Sequence, residues 1–236
     1  MSSILSAIDG DLLSITLNRP EKRNALGDAE WTSLSELVAQ AAASPEIDFL
    51  LLKGIGGVFC AGVDLALNER AAAKPGGIDA QIERIGGVLQ RLETLPQLVI
   101  VCLNGPAVGI GMHIALAGDL VLADRGAYLW APEASLGLPD VQHLAYLTQR
   151  LGKHRALSMI LLGRRLAATE ALAAGLIGEC YADEESLRVG AETYLSQFRA
   201  VPRAVRRAVK RAALESCTIG DLGLQIRAIA GRGIGE

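Results

Sequence analysis

Aromatic side chains are scarce in this sequence, at 4%, so its interior has to be filled by aliphatic ones. Half of the 236 residues are hydrophobic and 21% are charged. That supplies a sizeable core and excludes a disordered chain. The length fits one large domain, or a domain with a small appendage. A dominant charge sign is also missing. The net charge of −3 offers no basic field for nucleic acid, so no such partner is expected. The densest basic group is RAVRRAVKRAALE, residues 203–215. Its helical spacing predicts a solvated face rather than a binding patch. Long unbroken apolar runs are absent too. The most apolar stretch, residues 98–123, is interrupted by Asn104-Gly105-Pro106, His113 and Asp119. It predicts a buried strand and helix, not a membrane span. Residues 1–10 lack the basic head and apolar segment of a secretory leader. The expectation is a cytoplasmic protein with no membrane partner.

Paired cysteines are lacking as well. Cys60, Cys102, Cys180 and Cys217 are widely spaced, with no CxxC. They read as reduced thiols. Cys60 stands near a glycine turn, but a nucleophilic role needs a base beside it, so packing is the expectation. His113, His143 and His154 form no compact ligand set, and no metal site is expected. Gly54-x-Gly56 and Gly109-x-Gly111 follow strand-like segments without completing GxGxxG. No acidic partner for a ribose follows either, which argues against a dinucleotide fold.

What the sequence does have is alternation. Strand patterns at residues 12–17, 49–53, 98–103 and 119–123 are interleaved with helical patterns at 28–43, 78–95 and 109–117. Asp28 reads as the N-cap of the first helix. Lys74-Pro75-Gly76-Gly77 reads as a mobile surface loop. Beyond about residue 140 the pattern turns helical, at 141–151, 153–162, 168–174, 184–198 and 201–215. An α/β fold of βαβ-like units follows, with a core over residues 1–182 and a C-terminal helical region over 183–236.

Three segments carry chemistry. LNRPEKRNAL spans residues 17–26, VFCAGVDL spans 58–65, and NGPAVGIGMHIAL spans 104–116. In the second, Ala61-Gly62 precedes Val63 at a strand end, where small residues let a ligand approach the main chain. In the third, Gly109-Ile110-Gly111 opens a helix. The first N–H groups of a helix have no internal acceptor and favour negative charge. Two such turns converging on one oxygen would make an oxyanion hole. Spacing alone does not bring them together.

These segments, followed by Pro132-Glu133 and SLGLP at 135–139, resemble the crotonase (enoyl-CoA hydratase/isomerase) superfamily. The resemblance covers about residues 12–177. It implies a ββα spiral core with a helical trimerisation region, hence a homotrimer or dimer of trimers. It implies a coenzyme A thioester substrate that brings its own coenzyme A, with no further cofactor. By the same resemblance the oxyanion donors are the N–H groups of Val63 and Ile110. The adenine and phosphates lie near Lys22, Arg23 and Ala61, with Gly62 and Gly109 in the cradle and Asp64 shaping its turn.

The departures bear on the reaction. Hydratases of the superfamily use two glutamates; the second matches Glu133, and the first falls where this chain has His113. Ile110 replaces the middle glycine of the usual triplet. His113, near the start of its helix, is either a neutral catalytic imidazole or a pocket-lining residue. Glu133 lies in an apolar stretch that favours a raised pKa and acid–base work; its alternative is a structural loop carboxylate. Asp140 matches a catalytic aspartate of some isomerases across a one-residue gap, and equally reads as the N-cap of the helix starting at Val141. His143 falls three residues on, where it can line the same face. His154, Trp31 and Trp130 have ordinary surface or packing readings. Three functions are in play: an enoyl-CoA hydratase or isomerase, a cyclic β-diketone C–C hydrolase using His113 with a carboxylate, and a non-catalytic acyl-CoA-binding subunit.

Overall fold

The computed structural model describes residues 2–137 and 141–215. Cys217 and Asp140 therefore lie outside the described residues. The chain opens with a hairpin, β1 (Ile4–Asp9) and β2 (Leu12–Leu17), turned by Gly10 at φ 57° and Asp11. Helix α1 (Asp28–Ala43) leads to β3 (Phe49–Gly54). Helices α2 (Leu65–Ala72) and α3 (Gly77–Glu93) precede β4 (Leu98–Leu103). Then come β5 (Ala107–Val108), α4 (Ile110–Leu116), β6 (Leu120–Asp124) and β7 (Tyr128–Trp130). The remainder is α5 (Val141–Leu151), α6 (Lys153–Leu161), β8 (Leu166–Ala167), α7 (Ala168–Ala173), β9 (Glu179–Tyr181), α8 (Glu184–Arg199) and α9 (Arg203–Leu214).

The main sheet has the order β1-β2-β3-β4-β6-β9. Only the β1–β2 pair is antiparallel; β2, β3, β4, β6 and β9 run parallel. A second, small sheet is ordered β5-β7-β8. Parallel strands with both faces covered read as unbroken apolar runs, and LVIVCL of β4 does so for that reason. Val99, Val101 and Leu103 face the main core, whereas Ile100 and Cys102 face a second cluster under Leu187, Ala191 and Leu195 of α8. Each of those leucines contributes roughly 1.5–3 kcal/mol by leaving water.

The structure corrects two expectations here. Gly27, not Asp28, precedes α1 as its cap, and the Glu30 carboxylate reaches back to the Gly27 N–H at 2.8 Å. Asp28 instead pairs with Arg70 and Arg84. The basic run on α9 is not simply a solvated face. Arg206 and Lys210 are buried, with Arg206 on Asp48 at 2.7 Å and Lys210 on Asp119. The outward positions of the same helix are held by Val205 and Val209. No helix among the described residues is long and apolar enough to cross a membrane.

Candidate active site

The first turn of the site follows β2. Residues Pro20–Lys22 form one 3-10 turn, and Arg23 and Asn24 then adopt left-handed backbone at φ 51° and 57°. Such angles are uncommon for non-glycine residues, and asparagine tolerates them best. The buried Asn24 side chain offsets the strain. Its Oδ1 accepts the Arg19 N–H at 2.8 Å, and its Nδ2 donates to the carbonyls of Ile55 and Val58 at 3.0 and 2.7 Å. Lys22 and Arg23 remain exposed. The Arg23 carbonyl accepts the Ala61 N–H at 3.0 Å, so the basic pair stands beside the second turn.

That second turn, Cys60–Asp64, is laced to both neighbours. Leu26 N–H donates to Gly62 O and Asp64 N–H to Leu26 O, both at 2.9 Å. Val108 N–H donates to Cys60 O at 2.9 Å. Asp64 caps α2, accepting the Ala66 N–H at 3.0 Å and Arg19 Nη1 at 2.7 Å. The Ala66 amide, and after it the Arg19 guanidinium, hold the Asp64 carboxyl below its ordinary pKa. Asp64 thus fixes the direction in which the chain leaves Val63.

The third turn meets the second. A Cβ on Gly62 (φ 101°) would stand 3.1 Å from Val108 O and 3.9 Å from Ile110 N. Gly109, at φ 53° and ψ −126°, sits where a Cβ would come within 2.4 Å of Glu133 Oε1. Only glycine accepts that backbone without strain. The Gly109 N–H is spent on Trp130 O at 2.7 Å. Among the described residues, neither the Val63 nor the Ile110 N–H donates to a protein acceptor. The side chains of Val63 and Ile110 pack against the main core. Glu133 opens a 3-10 turn and brings its carboxylate to Gly109.

His113, on α4, is half-buried. Its ring centroid lies 5.1 Å from that of His143 and 5.4 Å from that of Tyr146, both on α5. The Tyr146 hydroxyl donates to Leu116 O at the end of α4. The Arg150 guanidinium stacks 3.4 Å above the Tyr146 ring, a cation–π contact, and lies 3.9 Å from Glu93 of α3. Burial pushes the Tyr146 phenol above its ordinary pKa, so it stays a neutral donor. Helix α5 therefore sets two rings against His113.

Residues 7–226 match the family described as enoyl-CoA hydratase/isomerase. The chain belongs to this family. Among curated relatives, 1,2-epoxyphenylacetyl-CoA isomerase of Escherichia coli is 37% identical over 189 residues, covering 78% of this chain and 71% of that protein. The human mitochondrial enoyl-CoA hydratase domain-containing protein 2 is 34% identical, over 77% of this chain and 62% of its own length. This chain thus spans about three fifths of the human relative. Among solved structures, AtuE of Pseudomonas aeruginosa superposes with a TM-score of 0.92 at 29% identity, covering 100% of this chain and 93% of that one.

Within this enoyl-CoA hydratase/isomerase-family fold, Lys22, Arg23, Ala61, Gly62, Val63, Asp64, Gly109, Ile110 and Glu133 come together around the meeting turns. His113 lies one helical turn past Gly109, whose carbonyl accepts the His113 N–H at 3.3 Å. Asp140 lies outside the described residues. Tyr146 escaped the sequence reading. Its signal was the i, i+3 spacing from His143, which puts both rings on one helix face. Cys60 is fully buried, and its thiol pKa is pushed up to about 12 by that burial, which excludes a thiolate nucleophile. His154 is exposed at the start of α6.

Proposed function

We propose that this protein is an acyl-CoA thioester enzyme of the enoyl-CoA hydratase/isomerase type, acting through an enolate held between the N–H groups of Val63 and Ile110. The observation that carries this reading is the approach of Gly62 to within 3.9 Å, at its Cβ position, of Ile110 N. Gly62 and Ile110 stand on turns far apart in sequence, and neither the Val63 nor the Ile110 N–H has an acceptor among the described residues. A thioester oxygen that gains negative charge in the transition state fits between them, and each such donor is worth roughly a hundred- to a thousandfold in rate. Lys22 and Arg23 are the cations available to the coenzyme A phosphates, with Ala61, Gly62 and Gly109 lining the approach to the thioester. No cofactor besides the coenzyme A of the substrate enters this scheme.

Proton transfer falls to Glu133, whose carboxylate lies against Gly109, with His113 and Asp140 as the further candidates. Hydration needs a base for water and an acid for the α-carbon, which Glu133 and His113 would divide between them. Isomerisation needs one group that removes a proton and returns it elsewhere, a task for Glu133 or Asp140 alone. The names of the relatives include both an isomerase and a hydratase-domain protein. The exposed Val205 and Val209 of α9 support the further proposal of a homotrimer or dimer of trimers, and the setting we propose is cytoplasmic.

The test offers crotonyl-CoA, a 3-enoyl-CoA and a cyclic β-diketone to the wild type and to Glu133→Gln. Turnover of a thioester is expected, with the variant slower by about a hundredfold or more. Turnover of the diketone alone would assign the His113 hydrolase chemistry and overturn the thioester reading. Tight thioester binding without any turnover would leave a binding subunit.

A further inference from the structure

We infer that Cys60 is a positioning residue that sets the distance between the Val63 and Ile110 N–H groups. The inference rests on the proposed function, because it concerns the same pair of donors. The Cys60 thiol has no solvent exposure and touches all three turns of the site. Its Sγ–H donates to Asn24 O at 3.2 Å, on the turn that carries Lys22 and Arg23. Its Sγ accepts the Gly62 N–H at 3.4 Å, next to Val63. On its third side it packs against Gly111, the residue after Ile110. A Cβ there would stand 2.8 Å from Cys60 Cβ and 3.0 Å from Sγ.

The main chain of Cys60 reinforces this placement. Cys60 pairs with Ala107 in an isolated bridge, and its carbonyl accepts Val108 N–H. The backbone thus ties the second turn to the strand before the third turn. The thiol adds the spacing between their far ends. It is a small group with one donor and one weak acceptor, and both are used. The neutral thiol, fixed as such by burial, is the form that can donate to Asn24 O.

Removing the sulfur would leave the Gly62 N–H without its acceptor and Gly111 without its neighbour. The Ala61–Gly62 peptide would then be free to turn, leaving the Leu26 N–H on Gly62 O as the remaining tether of the next peptide, and the Val63 N–H would lose part of its aim. Transition-state contacts are more sensitive to such misplacement than binding contacts elsewhere on a long ligand. The expected signature of Cys60→Ala is a kcat lower by about ten- to a hundredfold, with KM changed by less than about threefold. A general loss of folding would instead lower the active fraction and leave the kcat of the folded fraction alone.

The decisive measurement needs no turnover. The probe is butyryl-CoA labelled with carbon-13 at the thioester carbonyl, a saturated compound, followed by NMR. Donors aimed at the carbonyl oxygen polarise it and displace the resonance downfield on binding. The expected order of displacement is wild type, then Cys60→Ser, then Cys60→Ala. Serine keeps a donor and an acceptor on a shorter bond, and alanine keeps neither. If Cys60→Ala does not fold, Cys60→Ser against wild type carries the test. A folded variant whose displacement equals that of the wild type overturns the role of Cys60. A wild type that binds the probe with no displacement, or does not bind it, overturns the proposed function instead.

Discussion

At the scale of single residues, the site depends on side chains that are absent or small. Gly109 combines a left-handed backbone with a Cβ position 2.4 Å from Glu133 Oε1. Gly109→Ala is therefore expected to destabilise the fold by roughly 1–3 kcal/mol and to lower thioester turnover by at least about a hundredfold, through displacement of Glu133. Thermal unfolding and a steady-state assay check the two effects separately. Asp64 gives a pH prediction. Its folded pKa lies below the ordinary value of 3.8, held there by the Ala66 amide and Arg19. A depressed carboxylate pKa stabilises the fold above the unfolded value, and that stability is lost as pH falls through the folded value. The urea midpoint of the wild type should therefore drop below about pH 4 more steeply than that of Asp64→Asn, and the two should draw together in acid. Parallel curves would remove Asp64 from the acid response. His113 and Glu133 were legible as candidates from spacing and resemblance. The contact between Glu133 and Gly109 was not, because it depends on how β7 delivers the turn after it.

At the scale of elements, α9 is held by ions rather than by oil. Lys210 donates to Asp119 and to Gln97 O at 2.8 Å, while Asp119 also accepts the Val99 N–H at 2.7 Å. Burial pushes Asp119 up and Lys210 down in pKa, each opposed by the charge of the other. Such a pair contributes little net stability while intact, yet losing one member costs about 3–5 kcal/mol. Lys210→Met should thus be markedly less stable in urea than the double variant Asp119→Asn/Lys210→Met. Equal losses would show that the pair is not energetically coupled. The same helix explains a misreading. Periodicity locates a helix but not which stripe faces inward when arginines and valines alternate along it. The strands of the main sheet were legible where both faces are buried, as in β3 and β4, because continuous apolar runs leave little else to choose. β1 was missed, since only Ile4 of its six residues is buried. α2 was missed because its inward stripe is only two residues long, Leu67 and Ala71, and only the cap at Asp64 marks its start. The strands of the small sheet were missed because two or three residues are too few to show a period.

At the scale of the whole molecule, the described chain leaves aliphatic side chains uncovered on α9 and at the end of α6. Val209 is 63% exposed and Leu162 77%. A surface of this kind fits the proposed trimer. Val209→Glu is expected to shift the protein toward a single copy in light scattering after size exclusion, without loss of helical signal. A wild type that is monomeric at all concentrations would end that proposal. The division of labour within one copy has a further consequence. The N–H groups of Val63 and Ile110 belong to the main chain, and among the natural residues only proline deletes them. Two of the proton-handling candidates are side chains from different elements, His113 of α4 and Glu133 of the turn after β7. Over evolutionary time the first set is inherited almost by default, while the second is exchangeable one codon at a time. Under the proposed function, a chain built this way can keep its ligand cradle while the groups that move protons change, and position 113 is where such a change would fall.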